Sequence, residues 1–372
     1  MHLKSLSIRH FRNLGVQELE LPAEGVALVG QNAQGKSNFL EAIYYLETLR
    51  SFRGARDEQL IGFDEDVFRV VGELSDPVSL DQHQITAAYQ RQGRKKKVTR
   101  DGEEPSRLTD GLGGLAAVIF SPADVAVVNE GPGERRRFLD IVLSLNVPGY
   151  VEALQQYRHV IAQRNAALKD DQPQALVAVW DEPLVRAGAT LMVGRRKWVV
   201  ERGDSFSDFY SEVSGGQAAA QSYRPSVNLT EALDEESVRG SFRTALDDAR
   251  SKDRRMGTTT VGPHRDEVRF SLDGERDLDV RDYGSGGQRR TVALALRLVE
   301  AQTIRDARGQ EPIVLMDDVF AELDEGRSER IMDLIDGGRA GQVILTAPKE
   351  SDVRLRRDVL PRWSIEAGRI SA

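Results

Sequence analysis

The chain has 372 residues, 40% hydrophobic and 30% charged, enough for about two domains with a full-sized core. It contains no cysteine, which excludes disulfides, thiolate metal sites and iron–sulfur clusters, and its five histidines are scattered without a pair at ligand spacing. A net charge of −8 argues against nucleic acid wrapping the whole surface, yet leaves room for a local basic face.

No apolar run approaches the roughly 18 residues of a membrane helix, and Met1-His2-Leu3-Lys4-Ser5 has no apolar stretch behind it. A cytoplasmic setting is expected. Residues 3–21 read as strands, with Leu6 and Ile8 alternating with Ser7 and Arg9, and Phe11-Arg12-Asn13 at a turn. Val26-Ala27-Leu28-Val29 is a short apolar run suited to a buried strand. Gly30-Gln31-Asn32-Ala33-Gln34-Gly35-Lys36-Ser37 follows it and fits the phosphate-loop pattern. After the loop and Asn38, residues Phe39, Leu40, Ile43, Leu46 and Leu49 recur at helical spacing. Strand, glycine loop and helix start in that order aim free backbone N–H groups and a positive dipole end at one spot. Lys36 would neutralise the β/γ-phosphates and Ser37 would hold Mg²⁺, so a nucleoside triphosphate is the expected ligand.

Arg50-Ser51-Phe52-Arg53 reads as a basic loop, and residues 66–100 as strands around a basic turn, Arg91 to Lys97. Such a turn is either a solvated hairpin tip or a phosphate contact. Leu115 to Phe120 reads as a buried strand ended by Ser121-Pro122. Residues 133–250 are rich in helix formers, with Phe138, Ile141, Val142 and Leu145 as one periodic set. Arg135-Arg136-Arg137 and Arg195-Arg196-Lys197 are basic clusters that serve equally as solvated helix faces. β character returns near Gly257, in Thr258-Thr259-Thr260-Val261. The expected organisation is a discontinuous head, 1–125 and 256–372, with a helical arm at 126–255.

Ile313-Val314-Leu315-Met316-Asp317-Asp318 is a buried-strand pattern delivering two carboxylates at its end. Asp317 would reach the metal, and Asp318 would orient or deprotonate the attacking water. Upstream, Ser285-Gly286-Gly287-Gln288 opens a largely apolar helix that Ser285 would start. The glycines make either a flexible turn or a second anion contact.

Glycine turn, acidic strand end and Glu322-Leu323-Asp324 in that order resemble the ABC-type ATPases, with Ser285 to Gln288 as signature loop and Asp324 in the D-loop. The resemblance implies an α/β ATPase head: a phosphate-loop core sheet with an antiparallel β subdomain and an inserted helical arm. It implies ATP and Mg²⁺ as cofactors and an ATP-dependent homodimer in which the signature loop completes the partner's site. Within the class, the chain is similar to the RecF family, related to SMC heads, on blocks spread from end to end. These include Phe11-Arg12-Asn13, the phosphate loop, Arg50 to Arg53, Arg135 to Asp140, Gly262-Pro263-His264-Arg265-Asp266 and Asp317 to Asp324. That similarity implies a DNA-binding clamp of recombinational repair and replication. It would act at single-strand/double-strand junctions with RecR, RecO and RecA, hydrolysing ATP slowly. Departures are Thr346 where many relatives carry a switch histidine, Asp318 in place of glutamate, and no evident glutamine between core and arm, where Asp124 could stand in. Arg53, Lys95, Lys96 and Arg136 are the candidate DNA contacts. An ATPase gripping a protein or ribosomal partner is the alternative.

Overall fold

The computed structural model describes residues 2–76, 81–229, 234–272, 277–335, 341–353 and 360–372. The chain packs into two units, one made of Met1–Asp124, Glu212–Gly215 and Leu296–Ala372, the other of Val125–Ser211 and Gly216–Ala295.

The first unit is built around one helix. Strand β3 (Gly25–Val29) runs into the phosphate loop, and α1 (Lys36–Thr48) starts at the loop's end. Phe39, Leu40, Ile43, Tyr44, Tyr45 and Leu46 are all buried, so α1 is apolar nearly all round and lies within the core. It packs on two sheets at once. One is antiparallel, of order β2-β1-β4-β5-β6, from β1 (His2–Arg9), β2 (Val16–Glu20), β4 (Val67–Ser75), β5 (Gln82–Gln90) and β6 (Lys95–Arg100). The other has order β14-β13-β3-β12-β11-β7, from β7 (Ala117–Phe120), β11 (Ile313–Met316), β12 (Val343–Ala347), β13 (Arg362–Glu366) and β14 (Arg369–Ser371). Its pairings are parallel except β13 with β14. The strands β7, β11 and β12 are buried throughout, as a parallel sheet covered on both faces requires.

Two buried polar side chains tie these layers. Gln342 accepts from the Leu3 N–H at 2.9 Å and donates to the carbonyls of Leu3 (2.9 Å) and Pro22 (2.8 Å), joining β1 to the approach of β12. Glu47 on α1 is fully buried. It accepts from the Leu115 and Ala116 N–H groups at 2.8 and 2.9 Å and from Arg308 Nη2 at 2.8 Å.

The second unit contains α2 (Ala126–Asn129), α3 (Pro132–Asn146), α4 (Tyr150–Lys169), α5 (Gln174–Ala178), α6 (Asp181–Glu201), α8 (Glu235–Met256) and α9 (Val280–Tyr283). Helix α7 (Gly203–Ser214) belongs to it as far as Ser211, and α10 (Gly286–Arg308) as far as Ala295. The longest of its own helices, α8, has its ends written in sequence. Asp234 caps it by accepting from the Ser237 N–H, Glu235 and Glu236 fill the first turn, and Gly257 closes it at φ 63°.

The unit reaches beyond the expected arm boundary at 255, because a three-stranded sheet holds the returning chain. Strand β8 (Ala219–Arg224) pairs with β9 (Glu267–Leu272), which pairs with β10 (Leu278–Asp279). Thr258-Thr259-Thr260-Val261 was expected as strand and is loop instead. The threonine hydroxyls explain it: Thr260 donates to the buried carboxylate of Asp253 at 2.7 Å, and Thr259 to Asn165 Oδ1 at 2.7 Å. Asp253 also accepts from Arg164, which is 1% exposed and reaches Asp181 as well. Among the described residues no helix is long and apolar enough to cross a membrane.

Glu47→Ala would strand Arg308 and two backbone N–H groups in the core. We expect a loss of about 3–5 kcal/mol in urea denaturation. A second expectation concerns pH. His264 donates from Nε2 to the Thr259 carbonyl at 3.0 Å and accepts at Nδ1 from the Tyr157 hydroxyl at 2.7 Å. Burial lowers its pKa to about 4. The unfolded chain therefore takes up this proton first, near the ordinary value of 6.5. Stability is full above that value and falls as pH drops, by about 2 kcal/mol between pH 7 and pH 5. Urea midpoints across this window should show the slope, and His264→Gln should flatten it.

Candidate nucleotide site

The phosphate loop owes its path to its neighbours. Gly35 sits at φ 118°, and a Cβ there would meet Asn13 Oδ1 at 2.8 Å, so a side chain is excluded on both counts. Asn13 donates to the Gln34 carbonyl at 3.0 Å and accepts from Asn38 Nδ2 at 2.8 Å. Arg12 makes a two-point pair with Glu41, which is fully buried, at 2.7 and 3.0 Å; Ser51 donates to the same carboxylate. The turn between β13 and β14 holds the loop from another side. Ala367 N–H donates to Gln34 Oε1 at 2.6 Å and Gly368 N–H to the Gln34 carbonyl at 2.8 Å.

The catalytic candidates converge on the loop's end. Ser37 Oγ donates to Asp317 Oδ1 at 2.8 Å. Lys36, 4% exposed, donates from Nζ to the carbonyls of Gly30 (2.8 Å) and Gln31 (3.4 Å) and lies 3.6 Å from Asp318 Oδ2. Thr346 Oγ1 accepts from the Asp318 N–H at 3.0 Å and lies 3.2 Å from Asp317 Oδ1 and 3.3 Å from Asp318 Oδ1. Strands β3, β11 and β12 are neighbours in the sheet, which brings these three segments together. Burial, followed by the nearby Asp318 charge, raises the pKa of Asp317, against the lowering effect of the Ser37 hydrogen bond. The Ser37 and Asp317 oxygens are hard donors. Their 2.8 Å separation suits two adjacent ligands of an octahedral Mg²⁺ at about 2.0–2.1 Å.

Asp318 stands at φ 47° and ψ 28°. This left-handed conformation favours Asp and Asn over longer side chains, which gives a backbone reason for the shorter acid. Asp124 is engaged otherwise than as a core-to-arm glutamine. It accepts from the Ser121 N–H at 2.8 Å and pairs with Arg297 at 2.6 Å.

A cavity of about 900 Å³ opens beside the loop, lined among others by Asn32, Ala33, Lys36, Ser37, Asn38 and Asp318. Arg12, Arg53 and the 94% exposed Phe63 border it too. Arg53 also donates to Asn38 Oδ1 at 3.1 Å, so it faces the nucleotide side.

Ser285 and Gln288 form a reciprocal cap. The Ser285 N–H donates to Gln288 Oε1 at 2.8 Å and the Gln288 N–H to Ser285 Oγ at 3.2 Å. Ser285 and Gly286 are exposed and Gly287 is half-buried. Asp324 caps α11 (Glu325–Leu334), accepting from the Arg327 N–H at 3.0 Å. That hydrogen bond, more than the Arg327 charge, lowers its pKa.

Of the basic turn, Lys95 is exposed, whereas Lys96 is tied down. It pairs with Asp57 at 2.8 Å, donates to the Leu49 carbonyl at 2.7 Å and lies over the Tyr45 ring. Arg136 is half-buried and donates to the Asp266 carbonyl at 2.6 Å.

The fold and this constellation define an ABC-type ATPase head of the SMC kind. A family model described as RecF/RecN/SMC N terminal domain matches residues 2–362. The chain is 35% identical, over its whole length and that of the relative, to a "DNA replication and repair protein RecF" of Chloroflexus aggregans. A Synechocystis protein of the same description is 36% identical over 96% of this chain and 94% of its own. Among solved structures, one described as the recombination mediator protein RecF-ATPrS in the RecFOR pathway aligns with a TM-score of 0.89 at 33% identity. It covers 100% of this chain and 97% of that one. An SMC head bound to the C-winged helix domain of ScpA aligns over 100% of this chain and 96% of its own with a TM-score of 0.55 at 15% identity, a likeness of fold. The chain belongs to the RecF family.

If the left-handed backbone selects Asp318, then Asp318→Gln should be about 1 kcal/mol less stable in urea denaturation than Asp318→Asn, since both variants lose the charge facing Lys36 alike. Equal costs for the two would remove this explanation.

Proposed function

We propose that the protein is an ATP-dependent DNA clamp of recombinational repair and replication: it dimerises on ATP, binds DNA at single-strand/double-strand gaps and hydrolyses ATP slowly. One observation carries the reading. The phosphate loop, two strand-end carboxylates and a threonine from a third strand meet within hydrogen-bonding reach. Relatives with this fold over full length are described as RecF bound to ATP and to ATPrS.

In this reading Ser37 and Asp317 would hold Mg²⁺, which would supply charge neutralisation for the phosphates. The Lys36 ammonium leaves the Gly30 carbonyl for a phosphate oxygen, exchanging a neutral acceptor for a charged one. Asp318 then orients the attacking water, steadied through its N–H by Thr346. Gly30 to Asn38 supply the backbone N–H groups around the phosphates. The capped Ser285 to Gln288 turn, solvent-facing at Ser285 and Gly286, would meet the γ-phosphate of a second copy, with Asp324 at the same junction. Positioning dominates phosphoryl transfer, so the short Asp318 side chain should keep turnover well under the roughly 1–100 s⁻¹ of kinases. Lys95 is the best placed of the four DNA candidates by exposure, since Arg53, Lys96 and Arg136 each have a partner within the chain. RecR, RecO and RecA are the expected partners, drawn from the family.

ATP turnover measured against protein concentration, with and without duplex DNA, tests the proposal. The rate should rise faster than linearly and increase with DNA. A linear rate indifferent to DNA would sink both dimer and clamp and direct attention to a protein or ribosomal partner. Asp318→Asn should lower turnover by about a hundredfold or more while leaving ATP binding intact, and Lys36→Ala should abolish binding.

A further inference from the structure

The second unit contains a recess of about 220 Å³ walled by α3, α4, α6 and the loop before β9. Arginines from three helices enter it: Arg136 and Arg137 from α3, Arg158 from α4 and Arg195 from α6. Leu154, Tyr157 and Ile161 supply an apolar wall.

These four cations meet opposing charge mainly from outside the recess, where Glu267 and Asp266 favour the charge of Arg136. Asp140 is the one carboxylate lining the recess, and it is already crowded. It accepts from Arg195 Nη2 at 2.8 Å and from the Tyr150 hydroxyl at 2.7 Å, and it lies 3.5 Å from Arg158. Behind it, Asp266 is 3.9 Å from Arg195, but its oxygens take the Tyr223 hydroxyl and the Ser226 N–H. His264, held low by burial, adds no charge near neutral pH. Arg137 has Glu134 at 3.7 Å as its one ion-pair partner among the described residues, both partly solvated, and Arg158 is 53% exposed. Burial, with the Arg195 charge next, pushes the Arg136 guanidinium down from its ordinary value. Solvated helix faces would point such side chains apart, whereas three helices here aim them into one concavity on a chain of net charge −8.

We propose that this recess is an anion site that takes a phosphate group, with Arg136, Arg137 and Arg158 donating to its oxygens. The phosphate is a phosphodiester of a nucleic-acid strand or a free phosphate. The first source rests on the DNA reading above, and the second stands without it.

The full chain, its phosphate loop filled with a non-hydrolysable ATP analogue and Mg²⁺, is titrated with pyrophosphate by calorimetry and with labelled duplex DNA by anisotropy over a salt series. Arg137→Gln/Arg158→Gln is compared with wild type, since both side chains are partly solvated and dispensable to the core. If the source is DNA, the slope of log affinity against log salt should shrink by about two. A pyrophosphate affinity about tenfold or more lower, with the DNA slope unchanged, assigns the free phosphate instead. Pyrophosphate should also shield Arg137 and Arg158 of the wild type from phenylglyoxal, read by peptide mass, independently of any variant. If the chain binds no DNA at all, the pyrophosphate and shielding arms still decide. No shielding, with both affinities unchanged in the double variant, overturns the site.

Discussion

The hydrogen bond from Ser37 to Asp317 joins groups 280 residues apart and fixes the distance between the start of α1 and the end of β11. The same seating of helix against strand brings the other site contacts together. With α1 seated, Lys36 reaches Asp318, and with β11 in register beside β12, Thr346 reaches both carboxylates. A seated α1 also puts Glu41 and Glu47 into the core, where each must find cations and N–H groups. Arg12 and Arg308 answer them from opposite ends of the chain. Buried pairs of this kind add modest net stability, but they penalise any arrangement that leaves a charge alone.

What the sequence made legible was local. The phosphate loop, the carboxylate strand and the Ser285 to Gln288 cap each declare themselves within about ten residues, because strand, turn and helix chemistry act over that range. Lys36, Ser37, Asp317, Asp318 and Thr346 are together as the pattern suggested. What escaped was non-local. Gln342 reads as an ordinary polar residue before a strand, yet it bonds Leu3 and Pro22. Nothing near β8 signals that β9 will pair with it across more than forty residues. The threonines at 258–260 carry strand propensity, and buried carboxylate and amide acceptors outbid it. The charge of Lys96 suggested a ligand, but its geometry ties Asp57 to the α1 end.

Charge is distributed by function rather than by average. The overall surplus is negative. Arginines and lysines nevertheless enter both cavities, Arg12, Lys36 and Arg53 beside Glu58, Asp64 and Asp318 at the loop, and four arginines beside Asp140 in the arm recess. An acidic body discourages indiscriminate adhesion to polyanions, so such local sites decide where contact occurs.

The Gln34 anchor has a consequence for biosynthesis. The loop is translated early, whereas the turn that grips it, Ala367–Gly368, comes 333 residues later. Until that turn has been made, a growing chain can form the strand and helix but cannot lock the loop between them. A chain cut short of residues 367 and 368 would keep the strand and the helix yet leave Gln34 without these two contacts, so the loop's last restraint is also its latest.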